Sequence, residues 1–156
     1  MRQQLLPTLG LAILLAGGCA TAATAWPNGY REAICTATDH LRAADDAVAE
    51  AVDGVAAAES EQVATSAAGM ERDSEAARDA LSEATGWAAG VHLASELSTA
   101  ATAFERAAAE FGLGARQGDG PALDRAVASA QEAEAALARA DVEGARLRTK
   151  NGWQPC

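Results

Sequence analysis

The chain is poor in cysteine, histidine, proline, aromatic residues and basic residues. Among 156 residues it has three Cys, two His, four Pro and six aromatic side chains, and its 12 Lys and Arg face 22 Asp and Glu. The net charge of −10 argues against nucleic acid as a partner, because such binding depends on basic groups that neutralise phosphates. His40 and His92 belong to different predicted helices and form no Glu-x-x-His motif, so we predict no metal site and no cofactor.

No residue pattern typical of a catalytic site is present. The Gly-x-Ser-x-Gly motif of serine hydrolases does not occur, and neither does a Cys-x-x-Cys pair. Acidic clusters such as Asp45-Asp46 and the segment from Glu71 to Glu75 are typical of the solvated face of a helix bundle. We therefore predict a protein that is not an enzyme, with a pair of acid–base carboxylates as the remaining catalytic hypothesis.

Long hydrophobic runs are missing apart from one near the N-terminus. Leu5 to Ala16 is almost wholly apolar, but it is shorter than the roughly 20 residues that span a bilayer. With Arg2 before it and small residues after it, this run has the three-part layout of an export signal. We predict a signal peptide over residues 1–18, a short tether over 19–29 and a folded domain over 30–156.

The segment from Leu15 to Cys19 resembles the lipobox of bacterial lipoproteins, in which a cysteine thiol receives a diacylglyceryl group and becomes the new N-terminus. Small residues precede Cys19 as in that motif, although Ala16 stands where Leu is usual. The resemblance implies lipidation at Cys19 and attachment to a membrane through the lipid. Ala23-Thr24-Ala25 offers an ordinary cleavage site before Trp26, which would make residues 1–25 the signal peptide and release a secreted protein.

Either cut places the chain outside the cytoplasm, where disulfides form and persist. Cys35 and Cys156 are then the two thiols left to pair, and we predict a structural disulfide between them. The competing interpretations are two buried free thiols and a redox-active pair. The disulfide would close nearly the whole mature chain into one loop, and such a closure restricts the unfolded chain.

The composition after Cys19 predicts an all-α domain. Alanine, the best helix former, dominates, and β-branched residues are sparse. Apolar residues recur every seven positions, as in a bundle: Ile34, Leu41, Val48 and Val55 in one series, and Leu97, Phe104 and Phe111 in another. The change of register predicts a first turn between Val55 and Val63, with Asp53-Gly54 and Ser60 as the turn or cap candidates. With further turns at Gly86-Trp87 and over 112–120, this leaves four helices, over 30–53, 57–85, 88–111 and 121–149.

The predicted disulfide supports an even number of helices. Cys35 lies near the start of the first helix and Cys156 lies beyond the end of the last one. In an antiparallel up-down bundle these two ends meet only when the number of helices is even. An odd number would separate them by a helix length of about 36 Å, far beyond the ~7 Å that a disulfide allows between Cα atoms. We predict an antiparallel up-down four-helix bundle that is closed by a terminal disulfide.

This topology brings four aromatic residues to the end of the bundle that holds the disulfide and Cys19. They are Trp26, Tyr30, Trp87 and Trp153. One interpretation is that these rings fill the open end of a bundle whose alanine-rich core is narrow. The others are an aromatic collar that faces the membrane and a site for a small apolar ligand.

The usage of alanine and arginine with little lysine resembles that of small helical exported proteins of GC-rich bacteria. No motif of a named family accompanies this resemblance. We predict a non-enzymatic, lipid-anchored helical bundle that acts in the cell envelope as an interaction module for a protein partner. The alternative hypothesis is a soluble extracytoplasmic carrier of a small apolar ligand.

Overall fold

Four long helices make up nearly all of the described chain. A computed structural model describes residues 26–154 and Cys156, so the predicted signal peptide, Cys19 and the second cleavage site lie outside the described residues. The helices are α1 (Asn28–Ala56), α2 (Ser60–Ser82), α3 (Val91–Gln117) and α4 (Gly120–Asn151), and a short 3-10 helix, Ala88–Gly90, precedes α3. No strand occurs among the described residues. The predicted all-α class with four helices is confirmed.

The helices pack as a bundle in which consecutive helices are neighbours. α1 packs closely on α2, α2 on α3 and α3 on α4, whereas α1 and α4 touch at few points. The core is rich in alanine, and its largest fully buried apolar side chains come from all four helices: Tyr30, Leu41, Met70, Phe104, Phe111 and Leu147. Large side chains fill this core where alanine leaves space, because interiors are packed as densely as crystals.

The disulfide between Cys35 and Cys156 joins the start of α1 to the segment after α4. The two Cα atoms are 5.3 Å apart, and the two residues are 121 positions apart in the chain. The end of the bundle that holds this bridge is called the disulfide end below. The opposite end, with the α1–α2 and α3–α4 connections, is called the loop end. The predicted closure of an even-numbered bundle by this disulfide is confirmed.

The turn between α1 and α2 lies between Val55 and Val63, as predicted, and Ser60 begins α2, but the Asp53-Gly54 candidate for this turn is wrong. α1 continues through Gly54 to Ala56, and the connection to α2 lies at residues 57–59. Gly54 is buried against α2, where a Cβ atom would lie 3.0 Å from Cγ2 of Val63. The glycine therefore permits close approach of two helices rather than a turn. Val55, which the heptad pattern placed in the core, is 38% exposed.

The predicted loop over 112–120 is wrong as well. α3 runs to Gln117, and Gly114 is buried within it at a position where a Cβ would come within 2.7 Å of Cγ of Leu123 on α4. The true turn is confined to Gly118 and Asp119. Gly118 has a positive φ of 64°, a conformation that glycine adopts at no steric cost. Pro121 lies in the first turn of α4, as predicted.

Ala58 holds a strained conformation in the α1–α2 connection. Its φ of 60° makes it the one non-glycine residue with positive φ among the described residues. We expect Ala58→Gly to raise the free energy of unfolding by about 0.5 to 1 kcal/mol, because glycine removes the left-handed penalty at some cost in chain entropy. Urea unfolding measures the change. Ala57→Gly is the matched control, since Ala57 has a right-handed φ of −84° and should lose stability; a loss in both variants contradicts the prediction.

Candidate functional site at the disulfide end

Four aromatic rings form one cluster at the disulfide end. Trp153 lies at its centre, with its ring centroid 4.1 Å from that of Trp26, 5.9 Å from that of Tyr30 and 5.6 Å from that of Trp87. Trp87 and Trp153 are stacked, and the other pairs meet edge to face, which are the arrangements that aromatic quadrupoles favour. The structure thus brings together all four aromatic residues that the sequence singled out.

Burial of the rings agrees with the interpretation of the cluster as a plug. Tyr30, Trp87 and Trp153 are 1%, 8% and 3% exposed. Trp26 is half-buried, and the guanidinium of Arg31 lies 5.3 Å from its ring centroid. Three of the rings therefore present little surface to a membrane or a partner. Most of the exposed ring surface of the cluster belongs to Trp26.

Tyr30 ties the start of α1 to the segment that enters α3. Its hydroxyl donates a 2.6 Å hydrogen bond to the carbonyl oxygen of Gly90. Burial first, and the negative charge of Glu143 second, raise the pKa of Tyr30 to about 12. The neutral phenol is therefore the form that the cluster holds.

Arg146 of α4 forms a hydrogen bond with the same segment, the short 3-10 helix before α3. Its Nη2 donates a 3.3 Å hydrogen bond to the carbonyl oxygen of Ala89, and its Nε donates a 2.7 Å hydrogen bond to Glu143. Hydrogen bonding to this guanidinium lowers the pKa of Glu143. The short 3-10 helix is thus bonded to α1 through Tyr30 and to α4 through Arg146, and the two bonds position Trp87 within the cluster.

Titration of the phenol tests the burial of the cluster. Tyr30 is the single tyrosine, so the ultraviolet absorbance of ionised phenol reports one group. We expect ionisation near pH 12 in the folded protein and near pH 10 in denaturant. The unfolded chain releases this proton first, so the stability that Tyr30 contributes is complete below pH 10 and is lost as the pH rises from 10 to 12. A native midpoint near 10 contradicts the buried cluster.

A cleft of about 320 Å³ runs between α1 and α4 beside the cluster. Its apolar wall and floor come from α1, α3, α4 and the segment after α4: Ile34, Leu41, Leu93, Leu97, Leu137 and Trp153. Arg42 of α1 and two residues of α4, Asp141 and Arg148, also line it. The volume is at the lower end of the roughly 300–1,000 Å³ that is usual for small-molecule pockets. We call it the α1–α4 cleft.

The cleft follows the least bonded seam of the bundle. Polar side-chain pairs cross the other three helix interfaces. A 3.0 Å hydrogen bond joins His40 and Asp73, and ion pairs join Arg78 to Glu105, Arg106 to Glu132, Arg125 to Glu110 and Arg139 to Glu96. Among residues 26–154 and Cys156, no ion pair joins α1 to α4. The disulfide and the aromatic cluster therefore hold this seam at one end, and the rest of it has little to keep it closed.

Comparison with protein-family models, with curated proteins and with solved structures finds no match for this chain. Within the part of the chain that the structure describes, no helix combines the length and the apolar character needed to cross a membrane. No three His, Cys, Asp or Glu side chains of that part are grouped so that they could hold a metal ion.

Sequence patterns indicated the aromatic cluster and missed the cleft. Leu41 and Leu97 belong to apolar series that the periodicity assigned to the core of the bundle. Arg148 has the spacing of a residue that complements the carboxyl end of α4, and the structure places it there as well as on the cleft wall. No local signal distinguishes a stripe that meets a neighbouring helix from one that lines an opening between two helices. Cys19 lies outside the described residues.

Proposed function

We propose that this protein is a lipid-anchored, non-enzymatic binding module of the cell envelope, with its disulfide end toward the membrane. The position of Trp26 carries the proposal. Its ring packs on Trp153 at the disulfide end, so the segment from Cys19 emerges there. Seven residues of tether reach at most about 25 Å, which keeps this end close to a lipid on Cys19.

The distribution of charge supports the same orientation. Residues 43–71, which form the loop-end parts of α1 and α2, hold seven carboxylates and no Lys or Arg. Residues 136–156, at the disulfide end, hold four basic and two acidic side chains. Because anionic lipids repel carboxylates and attract basic groups, the disulfide end is the one that tolerates proximity to a membrane.

Incorporation of radiolabelled palmitate tests the anchor. We expect label in the wild-type protein and none in the Cys19→Ala variant, which should appear in the soluble fraction after lysis or osmotic shock. The matched control is Ala23→Leu, which disrupts the alternative cleavage site and should keep both the label and the membrane association. An unlabelled wild-type protein that begins at Trp26 contradicts the anchor.

A second candidate function is a carrier of a small apolar ligand, and the α1–α4 cleft is the observation that favours it. The floor of the cleft is apolar. The cleft also lies along the α1–α4 interface, which no ion pair crosses among the described residues. The lining also includes Cys156 and Trp153, so the disulfide and one ring of the cluster fix its closed end. In this function the bundle opens along α1 and α4 while the disulfide end stays joined.

A further inference from the structure

We propose that the α1–α4 cleft binds a single-chain amphiphile with an anionic head group, such as a fatty acid. This inference rests on the second candidate function and adds the chemical class of the ligand. Its apolar part would lie on Leu41, Leu93 and Leu97, which are at most 5% exposed at the bottom of the cleft. A volume of about 320 Å³ suits one acyl chain and is too small for a two-chain lipid.

Charge at the rim indicates the head group. Arg42 on α1 and Arg148 on α4 both line the cleft, with Asp141 as the acidic residue in the lining. Among the described residues, Arg42 pairs with exposed Asp39, at 3.3 Å, a kind of pair that contributes little stability. Arg148 has no carboxylate within 4.0 Å among the described residues.

Arg148 is the arginine of the lining without a carboxylate partner among the described residues, because Arg42 is paired with Asp39. Seven of the 11 basic side chains after Cys19, Arg42 among them, are engaged in ion pairs with acidic groups, whereas Arg148 is in none of these pairs and lies beside an apolar floor. Guanidinium groups bind carboxylates and phosphates with two parallel hydrogen bonds. An anionic head group at Arg148 would therefore find an unpaired guanidinium, while its chain covers the floor.

Titration calorimetry with three ten-carbon probes tests the proposal on the exported protein. Decanoate is anionic, 1-decanol is neutral and decylamine is cationic, and all three carry the same chain. We expect decanoate to bind about tenfold more tightly than decanol, the effect of a charge-assisted hydrogen bond, and decylamine to bind most weakly. Equal binding of decanoate and decanol overturns the head-group inference but leaves the carrier function standing. No binding of any probe overturns both.

Matched variants locate the site. Arg148→Gln should remove the preference for decanoate over decanol, whereas Lys150→Gln, which removes the same charge from α4 outside the lining, should keep it. An equal loss in both variants indicates a general charge effect and overturns the proposal. Leu137→Glu places a carboxylate on the half-buried wall and should abolish binding of decanoate and decanol, while Val127→Glu, at an exposed position on α4, should not.

The folded state of Leu137→Glu and the oligomeric state of the protein decide the remaining outcomes. Circular dichroism and thermal unfolding establish that Leu137→Glu is folded; if it is not, the Arg148→Gln and Lys150→Gln pair decides alone. Persistent binding of both probes by folded Leu137→Glu overturns the cleft as the site. If the wild-type protein binds no probe and is a dimer that Leu137→Glu dissociates, the occupant of the cleft is a second copy of the chain, and the proposal is overturned.

Discussion

Replacing Cys35 and Cys156 together by serine lowers the free energy of unfolding by about 5 kcal/mol in the chain-entropy description of a disulfide that closes a loop of this length. The two residues are 121 positions apart, so the bridge removes a large share of the freedom of the unfolded chain. The loss is comparable to the whole stability of a marginal domain, which is 5 to 15 kcal/mol. Guanidinium unfolding of the two proteins measures it.

The structure adds a local reason for a large effect. No ion pair joins α1 to α4 among the described residues, so the bridge and the aromatic cluster hold this seam. Reduction of the wild-type protein should reproduce the loss, and Cys19→Ser should leave the stability unchanged. A double variant as stable as the oxidised wild type contradicts a structural role for the disulfide.

Gly90→Ala lowers the free energy of unfolding by about 3 kcal/mol, through overpacking and the loss of one buried hydrogen bond. A Cβ on Gly90 would lie 2.5 Å from Cζ of Tyr30 and closer still to Cε3 of Trp87. Neither ring can move aside, because both are packed against Trp153. The same displacement breaks the bond from the Tyr30 hydroxyl to the Gly90 carbonyl.

Two readouts separate this clash from an ordinary glycine effect. The pKa of Tyr30 should fall from about 12 toward 10 in Gly90→Ala, because the phenol loses its burial. Gly69→Ala, in the interior of α2 with only the end of Arg72 within 4 Å of the added Cβ, should gain about 1 kcal/mol from helix propensity. A Gly90→Ala protein as stable as the wild type would show that the cluster is loosely packed.

Contacts between residues that are far apart in the chain could be predicted where a few residues constrain the topology. Two cysteines near opposite ends of a helical chain require an even number of helices, and the three predicted turns then led to a count of four. The heptad of Ile34, Leu41 and Val48 predicted the buried face of α1, and all three are at most 8% exposed. The four rings converge because each one lies before, in the first turn of, between or after helices at the same end.

The failures share one physical cause. Glycine serves both at turns and where two helix backbones approach closely, and the local sequence is the same in both cases. Gly54 packs on Val63, and Gly114 packs on Leu123. Both glycines lie inside helices, at positions where we predicted that a helix ends. The α1–α4 cleft was unpredictable for a related reason, because the spacing of two helices that are distant in sequence depends on every contact between them.

Mass spectrometry of the exported protein, alkylated without reduction and digested with trypsin, tests the central claim most directly. Trypsin cuts after Arg31, Arg42 and Lys150, so a Cys35–Cys156 disulfide joins peptide 32–42 to peptide 151–156. We expect this linked pair, together with an N-terminal peptide that begins at lipid-modified Cys19 and ends at Arg31. Two separate peptides with alkylated Cys35 and alkylated Cys156 would contradict an exported bundle closed by a disulfide.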